Sequence, residues 1–116
     1  MNTHKIDLTA LSTRTLLTRR RRLATRLGDV EQVLAGSLVE QTRRCGKPEC
    51  RCADGEPHGP YVYLSPRPQG RGKLRYVPGE LVAAVRVRLR RGEQVQTVLA
   101  DISAINLELL ARRELD

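Results

Sequence analysis

Residues 45–64 read CGKPECRCADGEPHGPYVYL, and how this stretch folds decides the architecture of the chain. Cys45, Cys50, Cys52 and His58 follow the pattern C-x4-C-x-C-x5-H. All three cysteines of the chain and one of its two histidines fall here; the other, His4, lies in a polar N-terminus. Three thiolates and one imidazole make up a tetrahedral zinc set of the Cys3His type. Gly46, Pro48, Gly55, Pro57, Gly59 and Pro60 punctuate the segment, so neither a helix nor a central strand can run through it. A loop with so little apolar surface gains stability when a metal ties its ends together. The x4 gap is longer than the common C-x2-C knuckle, and two other readings stand beside zinc. One is three reduced thiols packed in a turn-rich loop; the other is a different metal or an iron–sulfur cluster. An odd cysteine count at such short spacing argues against a disulfide framework.

The stretch ends in Tyr61-Val62-Tyr63-Leu64, a strand signal rich in aromatic and β-branched residues. Leu74 to Val77 is a second strand, and the turn-rich, basic SPRPQGRGK between them implies a β-hairpin. Ser37 to Arg44 alternates moderately and reads as a strand leading into the cysteine loop. Helices flank this sheet. From Leu8 to about Ala35, Leu16, Leu23 and Val30 recur every seven residues, Leu27 and Leu34 fall four after the last two of them, and Arg20 interrupts the seam. Leu81 to Arg91 reads as a helix with Leu81, Val82, Val85 and Leu89 on one face. Gly92 reads as a break, and Glu93 to about Glu114 as a last helix with Val95, Val98, Ile102, Ile105 and Leu109 in line. Each stripe suits a coiled-coil seam or an ordinary core face. The expected fold is therefore α+β within one domain: an N-terminal helical arm (1–36), a zinc-knuckle-like loop and hairpin (37–78), and two coiled-coil-like C-terminal helices (79–116).

Charge narrows the function. Of 116 residues, 21 are basic and 13 acidic, a formal net charge of +8, and most of the basic residues are arginine. Arginine suits bidentate phosphate contact, and a GC-rich genome also encodes it freely. A polyanion is attracted in either case, and nucleic acid is the leading candidate, DNA ahead of RNA. Arg43, Arg44, Lys47 and Arg51 sit in or beside the cysteine loop, and Arg67, Arg71, Lys73 and Arg75 on the hairpin. These eight are the expected phosphate contacts. Tyr61 and Tyr63 share a strand face, which can stack on unpaired bases or simply be the core, the preferred reading in a chain without Phe or Trp. The rival function is a protein–protein adaptor whose heptad helices form a homodimer. No Walker loop or Ser/His/Asp set is legible, so neither an enzyme nor a small-molecule substrate is expected. No segment reads as a signal peptide or membrane span, and the reduced-looking cysteines fit a cytoplasmic location.

The segment from Cys45 to Leu64 resembles a family of small bacterial and archaeal proteins without an assigned function. They share a CGKP-x-C-x-C…HGPY-x-YL core, a preceding GSL and a following YVP. The counterparts here are Gly36-Ser37-Leu38 and Tyr76-Val77-Pro78, and the C-terminal helical region with Asn106-Leu107-Glu108-Leu109-Leu110 also matches. The resemblance marks Cys45, Cys50, Cys52 and His58 as shared positions and implies an accessory role around mobile or transposon-like DNA.

Overall fold

The structure is a computed structural model that describes residues 6–67 and 73–116. Its order is α1 (Thr13–Leu27), β1 (Gly36–Arg43), β2 (His58–Pro66), β3 (Arg75–Tyr76) and α2 (Val82–Ala111), with short 3-10 turns at Leu8–Ala10, Arg51–Ala53 and Gly79–Leu81. The class is α+β, with a three-stranded antiparallel sheet in the order β1-β2-β3. Two compact units are distinguished: residues 1–31 with 93–116, and residues 32–92.

In the first unit α1 is shorter than the heptad spacing suggests. Ser12 caps its start, its hydroxyl accepting from the Thr15 N–H at 3.1 Å. Gly28, at φ 52°, ends it, and the Asp29 carboxylate then accepts from the Glu31 N–H at 2.9 Å. Gly-Asp thus stops a helix that the apolar spacing alone would carry to Ala35. Val30, in line with the stripe, is left 47% exposed. Leu16, Ile105 and Leu109 form the core, with Leu8, Leu11 and Leu23 against it. Fully burying each such leucine or isoleucine stabilises by about 1.5–3 kcal/mol. Arg20, the polar interruption of the stripe, donates to Asn106 Oδ1 at 2.8 Å and pairs with Asp116 at 2.8 Å. Arg112 ties the N-terminal turn down, donating to the carbonyls of Leu8 and Leu11 at 3.1 and 2.6 Å.

In the second unit β1 and β2 run antiparallel from Gly36 opposite Pro66 to Gln41 opposite Tyr61. Leu38, Val62 and Leu64 point to one face and pack with Val77, Val82, Val85 and Leu89. The core therefore lies on the side of the sheet opposite Tyr61 and Tyr63, contrary to the preferred reading of the tyrosine pair. Tyr63 is directly opposite Tyr76 on β3, their rings edge to face at 5.8 Å.

The two C-terminal helices expected from the sequence are one helix, α2, of 30 residues. Gly92 does not break it. A glycine inside a helix costs roughly 1 kcal/mol relative to alanine, so something must hold it there. The buried stripe runs through it, since Val85, Leu89, Gly92 and Val95 follow at three- and four-residue steps and each is at least partly buried. The Leu34 N–H donates to the Arg88 carbonyl at 3.1 Å, and a Cβ on Gly92 would stand 2.0 Å from the Leu34 carbonyl oxygen. Gly92 is where a passing backbone lies on the helix.

Candidate metal centre

Three consecutive pieces of chain build the site. β1 delivers the chain to Cys45, a turn around Arg51–Ala53 carries Cys50 and Cys52, and β2 opens on His58. Cys52 is the anchor, 1% exposed, whereas Cys50 and His58 are half-buried and Cys45 is exposed. Backbone bonds shape the turn, with the Cys50 N–H donating to the Lys47 carbonyl and the Ala53 N–H to the Cys50 carbonyl, both at 3.0 Å.

A bulge aims the histidine. Arg43 pairs with His58 and Gln41 with Tyr61, so two residues of β2, Gly59 and Pro60, stand against one of β1. The extra residue shifts the alternation and brings His58 to the same side of the sheet as Tyr61. Gly59 makes the bend possible: its φ is +110°, and a Cβ there would meet the Gln41 carbonyl oxygen at 3.0 Å. Pro60 fits at the bulge because it has no N–H to leave unpaired.

The ligand atoms of Cys45, Cys50, Cys52 and His58 all lie within 4.8 Å of one another. Cys45 Sγ is 3.6 Å from Cys52 Sγ, and Cys50 Sγ is 3.3 Å from His58 Nε2. A tetrahedral ion with metal–sulfur bonds of about 2.3 Å sets its sulfurs about 3.8 Å apart and a sulfur and nitrogen about 3.5 Å apart. Two of the six donor–donor separations therefore sit near the edge lengths of such a tetrahedron, and these four residues could hold a metal ion. All three cysteines are free thiols.

The electrostatics favour a thiolate at one position. The Lys47 backbone N–H, then His58 and the neighbouring thiols of Cys50 and Cys52, lower the Cys45 pKa to about 6. The Cys52 backbone N–H also favours the Cys50 thiolate, but Cys45, Cys52 and burial outweigh it and the Cys50 thiol is raised. The Cys45 N–H lies 3.3 Å from Cys52 Sγ, a further donor aimed at the sulfurs.

The basic residues expected to touch phosphate divide into two groups. Arg44 folds back into the loop, with Nη1 donating to the Cys52 carbonyl and, at 2.8 Å, to the Gly55 carbonyl. Arg43 lies over the Tyr61 ring at 4.9 Å, and Arg67 donates to the Gly36 carbonyl at 3.3 Å. Lys47, Arg51, Lys73 and Arg75 are exposed. Arg71 lies outside the described residues. The structural role of Arg44 has no signal in the sequence, where it is one more basic residue before a cysteine. A shallow cleft lined by Arg51, Cys52, Gly55, Glu56 and His58 borders the site.

The second unit also concentrates the charge. Residues 32–92 contain twelve basic and five acidic residues, a net +7 out of the +8 of the whole chain.

The model of a family described as a domain of unknown function (DUF6788) matches residues 13–87, which hold the whole Cys3His site, and the chain belongs to that family. No curated protein and no solved structure matches it.

Proposed function

We propose that this member of the family is a zinc-stabilised basic module that binds nucleic acid, DNA ahead of RNA, through arginine and lysine contacts to phosphate. The observation that carries the reading is the charge of the unit built around the Cys3His site, twelve basic against five acidic residues. The donor set supports zinc in particular, because soft thiolates with one imidazole in tetrahedral array are its usual structural ligands. Bound zinc would supply a closed four-way crosslink with no open position for a substrate. Cys45, Cys50, Cys52 and His58 would hold it, and Arg44 would keep the loop closed behind them. Three thiolates around a divalent ion leave the centre itself at a formal −1, so attraction for phosphate rests on the surrounding Lys47, Arg51, Lys73 and Arg75.

The test is elemental analysis of protein purified without chelator, followed by binding of duplex and single-stranded DNA across a salt series. About one zinc per chain and an affinity falling steeply with salt are expected. Absence of metal from freshly reduced protein would remove the zinc assignment. Absence of binding by the zinc-loaded protein at near-physiological salt would remove the nucleic-acid assignment.

A second reading, self-association, is favoured by one observation. Leu99, Leu107 and Leu110 are each more than half exposed and fall along one side of α2. Leu107→Glu should then return a dimer to monomer mass by light scattering. A monomeric parent protein at tens of micromolar would dispose of this reading.

A further inference from the structure

The chain contains three aromatic residues, Tyr61, Tyr63 and Tyr76, and all three lie on the same face of the sheet. It is the face the core does not use, since Leu38, Val62, Leu64 and Val77 occupy the other. Placing every aromatic ring of an aromatic-poor chain outside its core calls for a reason: three tyrosines would otherwise be the largest apolar bodies available to fill it. Tyr76 is 56% exposed, and Tyr61 and Tyr63 are half-buried against their neighbours. Tyr61 and Tyr63, two residues apart on β2, stand about 7 Å from each other at about 3.4 Å per strand residue. Tyr76 extends the row sideways onto β3, held edge to face against Tyr63. Their neighbours on β1 are smaller or polar, with Gln41 opposite Tyr61 and Val39 opposite Tyr63.

Cations flank the row. The Arg43 guanidinium sits over Tyr61, and Lys73 is exposed three residues before Tyr76, while alternation turns Arg75, opposite Leu64, to the other side of the sheet. An open sheet face with a row of rings, bordered by positive side chains, is suited to unpaired bases: the rings stack on base faces while the cations follow the phosphates. A duplex hides its base faces and gains nothing from the rings.

We infer that the Tyr61–Tyr63–Tyr76 face is a stacking platform for single-stranded DNA. The inference rests on the nucleic-acid reading above and specifies the form of its ligand. The charge of +7 on residues 32–92 favours a polyanion, and the rings, which no phosphate contact requires, favour one that carries base faces over an acidic peptide. The sugar follows the reading above, DNA ahead of RNA, since stacking on base faces is common to both and Gln41, on this face opposite Tyr61, offers hydrogen-bonding atoms to either.

The experiment uses the full zinc-loaded chain and fluorescein-labelled 12-mers, one of mixed-sequence single-stranded DNA, one the corresponding duplex and one the RNA of the same sequence, read by anisotropy. The parent should bind the single strand at least about tenfold more tightly than the duplex. Tyr61→Leu combined with Tyr76→Leu, which keeps apolar bulk, should weaken single-strand binding about tenfold or more and change duplex binding less than about twofold. Tyr61→Phe with Tyr76→Phe keeps both rings and should bind as the parent does, which separates stacking from loss of fold or of a hydroxyl bond. With no tryptophan in the chain, quenching of tyrosine emission on adding the single strand reports the same event directly. If both forms bind equally and the leucine variant changes neither, the platform is wrong and the phosphate reading stands. If RNA binds about tenfold more tightly than DNA, the assignment to DNA is wrong. If no nucleic acid binds, both readings fall together.

Discussion

At residue scale Arg44, grouped by the sequence with the expected phosphate contacts, closes the cysteine loop on itself. Its guanidinium donates to the Cys52 and Gly55 carbonyls, one of them on the most buried metal-site residue. Hydrogen bonds from a charged donor contribute about 1.5–3 kcal/mol. Arg44→Ala is expected to lower the thermal midpoint of the loaded protein and to weaken metal affinity, measured by competition with a chromogenic chelator. Lys47→Ala, three residues on and exposed, should do neither. The pH dependence of the site follows from Cys45. Its thiol pKa falls from 9.0 to about 6 in the folded chain, so the stabilisation it contributes is complete above about pH 9 and is lost as the pH falls through about 6. Protons compete with the metal for the same sulfurs. Above pH 6 Cys45 is already a thiolate and binding displaces no proton from it; below pH 6 it does. Metal affinity plotted against pH should therefore steepen below about 6, and Cys45→Ser should abolish that extra steepness while weakening binding throughout. An unchanged slope across pH 6 would contradict the assignment of that low pKa to Cys45.

Among the elements, α2 departs furthest from its sequence reading and α1 next. Both departures trace to glycines whose roles the apolar spacing does not disclose. Gly28, with Asp29 behind it, stops α1; Gly92, with a bare face toward Leu34, lets α2 continue. One residue type ends a helix where the chain must turn and sustains a helix where a backbone must approach. Local propensity cannot distinguish the two. The distinction has a measurable consequence. On propensity alone Gly92→Ala should stabilise α2 by about 1 kcal/mol. With a Cβ placed 2.0 Å from the Leu34 carbonyl oxygen it should instead destabilise by roughly 1–3 kcal/mol, as overpacking does, in chemical denaturation of the loaded protein. The stripe Val95, Val98, Ile102, Ile105 and Leu109 was legible: each is at least partly buried, and Ile105 and Leu109 meet Leu16 in the core. That apolar period serves an intrachain core here, so its heptad form needs no partner to account for it.

On the scale of the molecule the charge is uneven. Residues 32–92 hold +7 of the formal +8, while the unit formed by 1–31 and 93–116 is close to neutral despite the run Arg19-Arg20-Arg21-Arg22. The asymmetry predicts where salt acts. Replacing Lys47, Arg51, Lys73 and Arg75 together with Ala should weaken DNA binding across all sequences. It should also flatten the dependence of log affinity on log salt by as much as about 0.9 for each duplex phosphate no longer neutralised, or about 0.7 for each phosphate of a single strand. Replacing Arg14, Arg21 and Arg22 should leave that slope unchanged. Equal effects from the two sets would place the interface elsewhere. No helix among the described residues is long and apolar enough to cross a membrane.

The sequence by itself determined the class, the four clustered candidate ligands and the strands. Candidate ligand chemistry is written in residue types: three thiols and an imidazole stand in one turn-rich segment, and their four ligand atoms do converge. Strand signals survive because β-branched and aromatic runs between turn residues are local. Tertiary structure alone decided three other matters. Alternation puts Tyr61 and Tyr63 on a common face, but which face of the sheet the helix covers depends on packing among Leu38, Val62, Leu64 and Leu89, residues far apart in the chain. Whether Arg44 reaches the carbonyls of Cys52 and Gly55 depends on a loop that closes eight to eleven residues later. Whether Gly92 breaks a helix or admits a neighbour depends on Leu34, almost sixty positions earlier. In each case the deciding contact is made by residues outside the local pattern, and that pattern carries no record of what will be brought against it.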